Sequence, residues 1–178
     1  MAGATGSWTS ASGSYGGAIN GRGVVGLNLV FGNLTARPYE LRAYVLENGA
    51  ATPVPRPVPS AQSWTVAELN DRGQLVGTYW TRSPVEPGYT TGAYLWDGSR
   101  STDLAPMKAG MDINGHGEVV GGNFLYRGGQ VLDLRQISVS GEWQVVDATG
   151  INDLGWISVT GSHRTRGGYG ALLLKPIS

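Results

Sequence analysis

Cysteine is absent from the 178 residues, so neither a disulfide framework nor a thiolate metal site is open to this chain. Charge imbalance is absent too. Thirteen basic and thirteen acidic residues cancel, which removes the cationic footprint of a nucleic-acid binder. No apolar run is long enough to cross a bilayer as a helix, and no segment keeps a helical period. Histidine occurs only at positions 116 and 163, too few for a zinc hydrolase, and no metal or cofactor is expected. The opening MAGATGSWTSAS has neither the basic region nor the apolar core of a signal peptide, so a cytoplasmic protein is expected unless a leader was removed.

What the sequence does have is glycine, 29 of them with nine prolines, punctuating many short stretches in one all-β domain over 1–178. A box of the form [IL]-N-x-x-G recurs four times. It reads INGRGVVG from Ile19, LNDRGQLVG from Leu69, INGHGEVVG from Ile113 and INDLGWISV from Ile151. Its asparagines, Asn20, Asn70, Asn114 and Asn152, are 50, 44 and 38 residues apart, the spacing of a repeat architecture. Each box reads as a hairpin, in which asparagine and glycine supply the turn and side-chain oxygens bond the local backbone. GRGVVG from Gly21 also satisfies G-x-G-x-x-G, but it opens a strand and not a helix, so it is a turn and not a phosphate loop.

Downstream of the boxes come period-2 runs, LRAYVLENG from Leu41, GAYLWDG from Gly92, NFLYRGG from Asn123 and GALLLKP from Gly170. After the first three runs a short last segment follows, ATPVPRP, SRSTDL and QVLDL. Four strands from inner to outer make the blade of a β-propeller. The blades are predicted at 14–58, 64–106, 108–136 and 144–178, and the last lacks an outer strand. A spare strand at 6–12 is expected to complete it and close a four-bladed ring, so the chain is expected to be a monomer.

These repeats resemble a bacterial family named for a His-Ala-Phe tripeptide, whose pattern runs A-x-x-I-N-x-x-G-x-V-V-G, then H-A-F-x-W-x-x-G, then D-L. The tripeptide positions read Arg42-Ala43-Tyr44, Gly92-Ala93-Tyr94, Gly122-Asn123-Phe124 and Gly170-Ala171-Leu172, and D-L stands at Asp103-Leu104 and Asp133-Leu134. The resemblance spans nearly the whole chain and implies a propeller. It implies little about activity, since a fold does not carry a function with it.

Function is expected on the rim opposite the tight N-x-x-G turns, where loops vary between blades. Blade one brings Phe31, Arg37, Tyr39 and Glu40 there; blade two brings Tyr79, Trp80, Arg82, Glu86 and Tyr89; blade four brings His163, Arg164, Arg166 and Tyr169. Trp64 and Trp143 stand close to inner strands and are expected to lean over the axis. Aromatic faces beside arginines suit a polar small molecule or glycan. A second constellation lies two residues before the box asparagines, where Glu68 and Asp112 place carboxylates at equivalent inner positions. Close carboxylates split their pKa values and can serve as acid and base. The chain therefore reads as a ligand-binding module with one asymmetric pocket. The alternatives are an isomerase, lyase or cyclase using Glu68, Asp112 and His163, or a platform for protein partners.

Overall fold

The structure, a computed structural model, describes residues 11–32, 40–83, 88–137 and 141–176. These residues build four antiparallel sheets, each a meander in chain order. The first holds β1 (Ala11–Ile19), β2 (Val25–Phe31), β3 (Glu40–Glu47) and β4 (Ala50–Pro53). The second holds β5 (Ala61–Leu69), β6 (Leu75–Arg82), β7 (Tyr89–Trp96) and β8 (Ser101–Asp103). The third holds β9 (Asp112–Ile113), β10 (Val119–Gly121), β11 (Phe124–Arg127) and β12 (Gln130–Asp133), followed by one turn of helix, α1 (Leu134–Ile137). The fourth holds β13 (Trp143–Ile151), β14 (Ile157–His163) and β15 (Tyr169–Leu174). The protein is thus an all-β, propeller-like array of four sheets, with the first strands β1, β5, β9 and β13 next to one another.

Three apolar cores lie between consecutive sheets. Val24, Ala43 and Val54 meet Trp64, Val66, Leu69 and Tyr94 between the first two. Val76, Ala93, Leu95 and Leu104 meet Ile113 and Val119 between the second and third. Val120, Leu125 and Leu134 meet Val145, Ala148, Ile151 and Ile157 between the third and fourth. No sheet buries its own faces; each is covered by its neighbours, as a repeat array requires.

The box asparagines do two things. Each Oδ1 accepts the backbone N–H groups two and four residues on, closing the turn. Asn70 takes Arg72 and Gln74 at 3.1 and 3.0 Å, and Asn20, Asn114 and Asn152 repeat the pattern. The box glycines 23, 73, 117 and 155 all have φ between 71° and 80°, a left-handed conformation that explains their place in the pattern. In the first three boxes the Nδ2 then reaches across to the next sheet. Asn20 donates to the Asn70 carbonyl at 3.0 Å, Asn70 to Asn114 at 2.9 Å and Asn114 to Asn152 at 3.0 Å. The Asp71 carboxylate accepts from Gly21 N at 2.7 Å, and Asp153 from Gly115 N at 2.6 Å, so two of the three joints carry a second link.

A further regularity sits behind the D-L element. Val54, Leu104 and Leu134 are buried just past the outer strands, and their N–H groups bond the carbonyls of Ala43, Ala93 and Asn123 at 2.9, 3.0 and 2.8 Å. This ties each outer strand to its third strand. The first blade keeps the device with Pro53-Val54 in place of Asp-Leu.

The strand expected at 6–12 falls mostly outside the described residues. Its last two positions, Ala11 and Ser12, belong to β1, where Ala11 faces Phe31 and the Ser12 hydroxyl donates to the Val30 carbonyl at 3.2 Å. The inner strands are also longer than a plain period-2 reading allows. Register shifts at Ser12 and Gly17, at Gln62 and Ala67, and at Val146 and Thr149 mark paired bulges in β1, β5 and β13. An extra residue at each point turns the following side chains to the other face.

Candidate functional site

Among the residues expected to form a pocket, those of blade four come together most closely. Trp143 opens β13 and pairs with His163 at the end of β14. Gly161 and Gly170 face each other across β14 and β15, and a Cβ at either would stand 3.3 or 2.8 Å from the Trp143 ring. Gly170 leaves the space that the half-buried indole occupies, and over Gly161 that space is shared with the Leu172 side chain. His163 meets that indole edge-on, with ring centroids 5.0 Å apart and planes at 74°. Arg164 and Tyr169 flank the hairpin and are exposed, Tyr169 by 76%.

The His163 ring is fixed by the hairpin it ends. Nδ1 accepts the backbone N–H groups of Arg166 and Thr165 at 3.1 and 3.3 Å, which places the proton of the neutral ring on Nε2. Nε2 in turn faces the exposed Glu142 carboxylate at 3.9 Å. With its lone pair held by two amides, this histidine presents an N–H to the rim and no base.

Blade two supplies a second rim cluster. Arg82 pairs with Tyr89 and Trp80 with Thr91, so Trp80 and Arg82 share one face of β6. Arg82 and Tyr89 are exposed, and no carboxylate pairs with Arg82 or Arg164 among the described residues. Phe31 is half-buried under the Arg42 guanidinium, 4.7 Å from its ring, and Arg42 is also held by Glu40 at 2.9 Å. That Glu40 contact comes first among the causes that raise the Arg42 pKa. Arg37, Tyr39 and Glu86 lie outside the described residues.

Two residues expected on the rim are core residues instead. Trp64 is 6% exposed between the first two sheets, its Nε1 donating to the Val54 carbonyl at 3.0 Å. The bulge at Gln62 shifts its register and turns it inward. Tyr79 is 9% exposed and lies over Gly92, with its hydroxyl donating to Asp103 at 2.9 Å. Burial, then Asp103, pushes the Tyr79 pKa up to about 12. Sequence reasoning also passed over Tyr94, fully buried on Gly77 with its hydroxyl on the Thr65 carbonyl. Burial raises the pKa of that hydroxyl strongly. The Gly-Ala-Tyr tripeptide was the available signal.

The inner carboxylates accept from backbone amides. Glu68 accepts from Leu69 N at 2.9 Å. Asp112 accepts from Ile113 N at 2.8 Å and, across the joint, from Ile151 N at 2.7 Å. Its Oδ2 lies 3.6 Å from where a Cβ of Gly150 would stand, so the carboxylate occupies space that the glycine leaves open. No hydrogen bond joins Glu68 to Asp112 among the described residues, and no group of three potential ligands gathers there to hold a metal. His116 sits on the N-x-x-G face, exposed, with Nε2 3.1 Å from the Asp153 carbonyl.

The four boxes also line a depression of about 470 Å³, with Asn70, Asp71, Asn114, Gly115, Asn152 and Asp153 among its residues. It opens on the tight-turn face, at the opposite end of the strands from the Trp143 cluster. The amides of Asn20, Asn70 and Asn114 are spent on the turns and joints already described, and Asn152 caps its own turn through Oδ1.

No family model matches the chain, and no curated protein matches it. Among solved structures, it is similar to the β-propeller domain of the Trilobed protease from Pyrococcus furiosus, described as having an open velcro topology. The two share 12% identity over 94% of this chain and 82% of that one, with a TM-score of 0.36.

Proposed function

We propose that this protein is a non-catalytic binding module that holds a polar organic ligand, a glycan or a polar small molecule, against the Trp143 indole. The observation that carries the reading is the indole seated close over Gly170 and beside Gly161, with the His163 ring set edge-on to it and Arg164 and Tyr169 at the same hairpin. Close seating on glycine and contact with Leu172 and His163 hold the indole in place, and a fixed aromatic ring stacks on the apolar face of a sugar ring at little entropic cost. The Arg164 guanidinium supplies charge-assisted hydrogen bonds at the margin. Trp80, Arg82 and Tyr89 of blade two extend the same rim.

The enzymatic alternative has less support. Asp112, through both carboxylate oxygens, and the Nδ1 atom of His163 spend acceptor capacity on backbone amides, so proton uptake there competes with bonds of the fold, and Glu68 has no catalytic partner among the described residues. The architectural side of the proposal is completion of the last blade, a segment ahead of β1, from whichever copy adjoins it, lying antiparallel to β15 as its fourth strand. What supports it is the Ala171 carbonyl, equivalent to those of Ala43 and Ala93, which has no capping N–H among the described residues.

The test is a screen of oligosaccharides and polar metabolites by tryptophan fluorescence, followed by titration of the best ligand into Trp143→Ala. Affinity is expected to fall about tenfold or more, from stacking worth about 0.5 to 1.5 kcal/mol and the contacts it aligns. A ligand bound equally well without the indole sinks this site.

A further inference from the structure

We infer that two copies of this chain join end to end, the free face of blade four on one packing against the free face of blade one on the other, to close a two-fold ring of eight blades. Each internal joint has the same parts. An asparagine Nδ2 bonds the next box carbonyl, and the apolar residue before that next asparagine is buried against the preceding blade. Those residues, Leu69, Ile113 and Ile151, are 5, 5 and 8% exposed. Their counterpart in the first box, Ile19, is 67% exposed.

The other end shows the complementary half. In blade two, Ala93 and Leu95 are buried against Ile113 of the next blade. Their register equivalents in blade four are Ala171, opposite Thr160, and Leu173, opposite Ser158. Ala171 is exposed, and Leu173 is 53% exposed. Asn152 completes its turn, but its Nδ2 reaches no carbonyl among the described residues. The two ends are therefore the two halves of a joint that the chain makes three times already.

The residue after each box asparagine points the same way. It alternates Gly21, Asp71, Gly115, Asp153. A joint from the last box to a first box continues that alternation and has the make-up of the joint between boxes two and three, where Asn70 bonds Asn114 at 2.9 Å. The second copy is favoured over closure within one chain because β1 and β13 do not pack as neighbouring inner strands do. Extending the existing joint onto another chain leaves all three internal links unchanged. Two such contacts related by a two-fold axis close, and a closed ring buries both ends. Ser158 beside Leu173 makes this joint more polar than the internal ones, as suits a contact between separately folded copies. The inference stands apart from the ligand proposal, since neither Trp143 nor Arg164 takes part in it.

Light scattering on the full chain tests it, with a mass of twice 18.7 kDa expected. Ile19→Asp and Leu173→Asp should each give the single-chain mass with the melting temperature of the wild-type chain at low concentration, because both positions are exposed in the isolated chain. Since the sequence has no cysteine, Ile19→Cys and Leu173→Cys variants mixed under mild oxidation should form a disulfide between the two different chains. A wild-type mass of one chain overturns the inference. So does a chain carrying both Ile19→Cys and Leu173→Cys that links only within itself.

Discussion

Asn70 Nδ2 donates to the backbone carbonyl of Asn114 at 2.9 Å, while Oδ1 of the same side chain caps its own turn. One amide thus sets both the hairpin and the joint to the next blade. Asn70 and Asn114 are 6 and 3% exposed, so each bond is made away from water and each loss leaves a carbonyl without its donor.

Replacing that amide by a carboxylate separates the two tasks. Asn70→Asp keeps an acceptor for the turn and loses the donor, and is expected to destabilise the protein by about 1 to 3 kcal/mol. Asn152→Asp, whose side chain is exposed and links to no later box of its own chain, should cost well under half as much at low concentration. Equal losses in urea unfolding at the two positions would show that the turn alone matters.

Gly170→Val tests the indole floor from below. The new Cβ would stand 2.8 Å from the Trp143 ring, so the indole has to lift off. Tryptophan emission should shift to the red, and affinity for any ligand found in the screen should fall about tenfold, from lost stacking and misplaced hydrogen bonds. Gly128→Ala, on the opposite face, is the control expected to leave affinity unchanged.

Asp112 offers a stability readout that also bears on chemistry. Asp112→Ala strips the acceptor from Ile113 N and Ile151 N and is expected to cost about 1 to 3 kcal/mol, with Asp112→Asn in between. Should a turnover assay ever be found, Glu68→Gln and Asp112→Asn that abolish turnover while leaving the melting temperature unchanged would restore the enzymatic reading.

Alkaline pH should weaken the fold through Tyr79 and Tyr94. The folded pKa of Tyr79 is raised from 10.0 to about 12, and that of Tyr94 is raised by burial. The unfolded chain releases these protons first, so the stabilisation is intact below about pH 10 and is lost as pH rises through the folded value. Chemical denaturation at pH 9 and pH 11 should show this decline, and Tyr79→Phe should flatten it. An unchanged slope in that variant would assign the decline to other groups.

The repeat, the strand order and the N-x-x-G turns were legible because backbone conformation writes itself locally into asparagine and glycine. The second bond of Asn20, Asn70 and Asn114 was not, since sequence spacing does not say where a side chain's remaining donor goes. Trp64 and Tyr79 looked like rim aromatics because an aromatic near a strand end fits either face. A bulge at Gln62 and a partner at Asp103, both set by the tertiary register, put them inside. Trp143 stands at the strand end away from the N-x-x-G turns, and the glycine beneath it, Gly170, reads in sequence only as weak strand.

Asparagine followed by glycine is the pairing most prone to spontaneous deamidation, in which the glycine nitrogen attacks the side-chain carbonyl carbon and expels ammonia. The chain has two such pairs in its boxes, Asn20-Gly21 and Asn114-Gly115. In both, the attacking nitrogen is tied to a carboxylate of the next blade, Gly21 N to Asp71 and Gly115 N to Asp153. The other two boxes carry aspartate after asparagine and lack the vulnerable pair. The joints therefore act as a chemical preservative: while the blades stay together the protein ages slowly at these sites, and each excursion that parts them exposes the amides on which the joints depend.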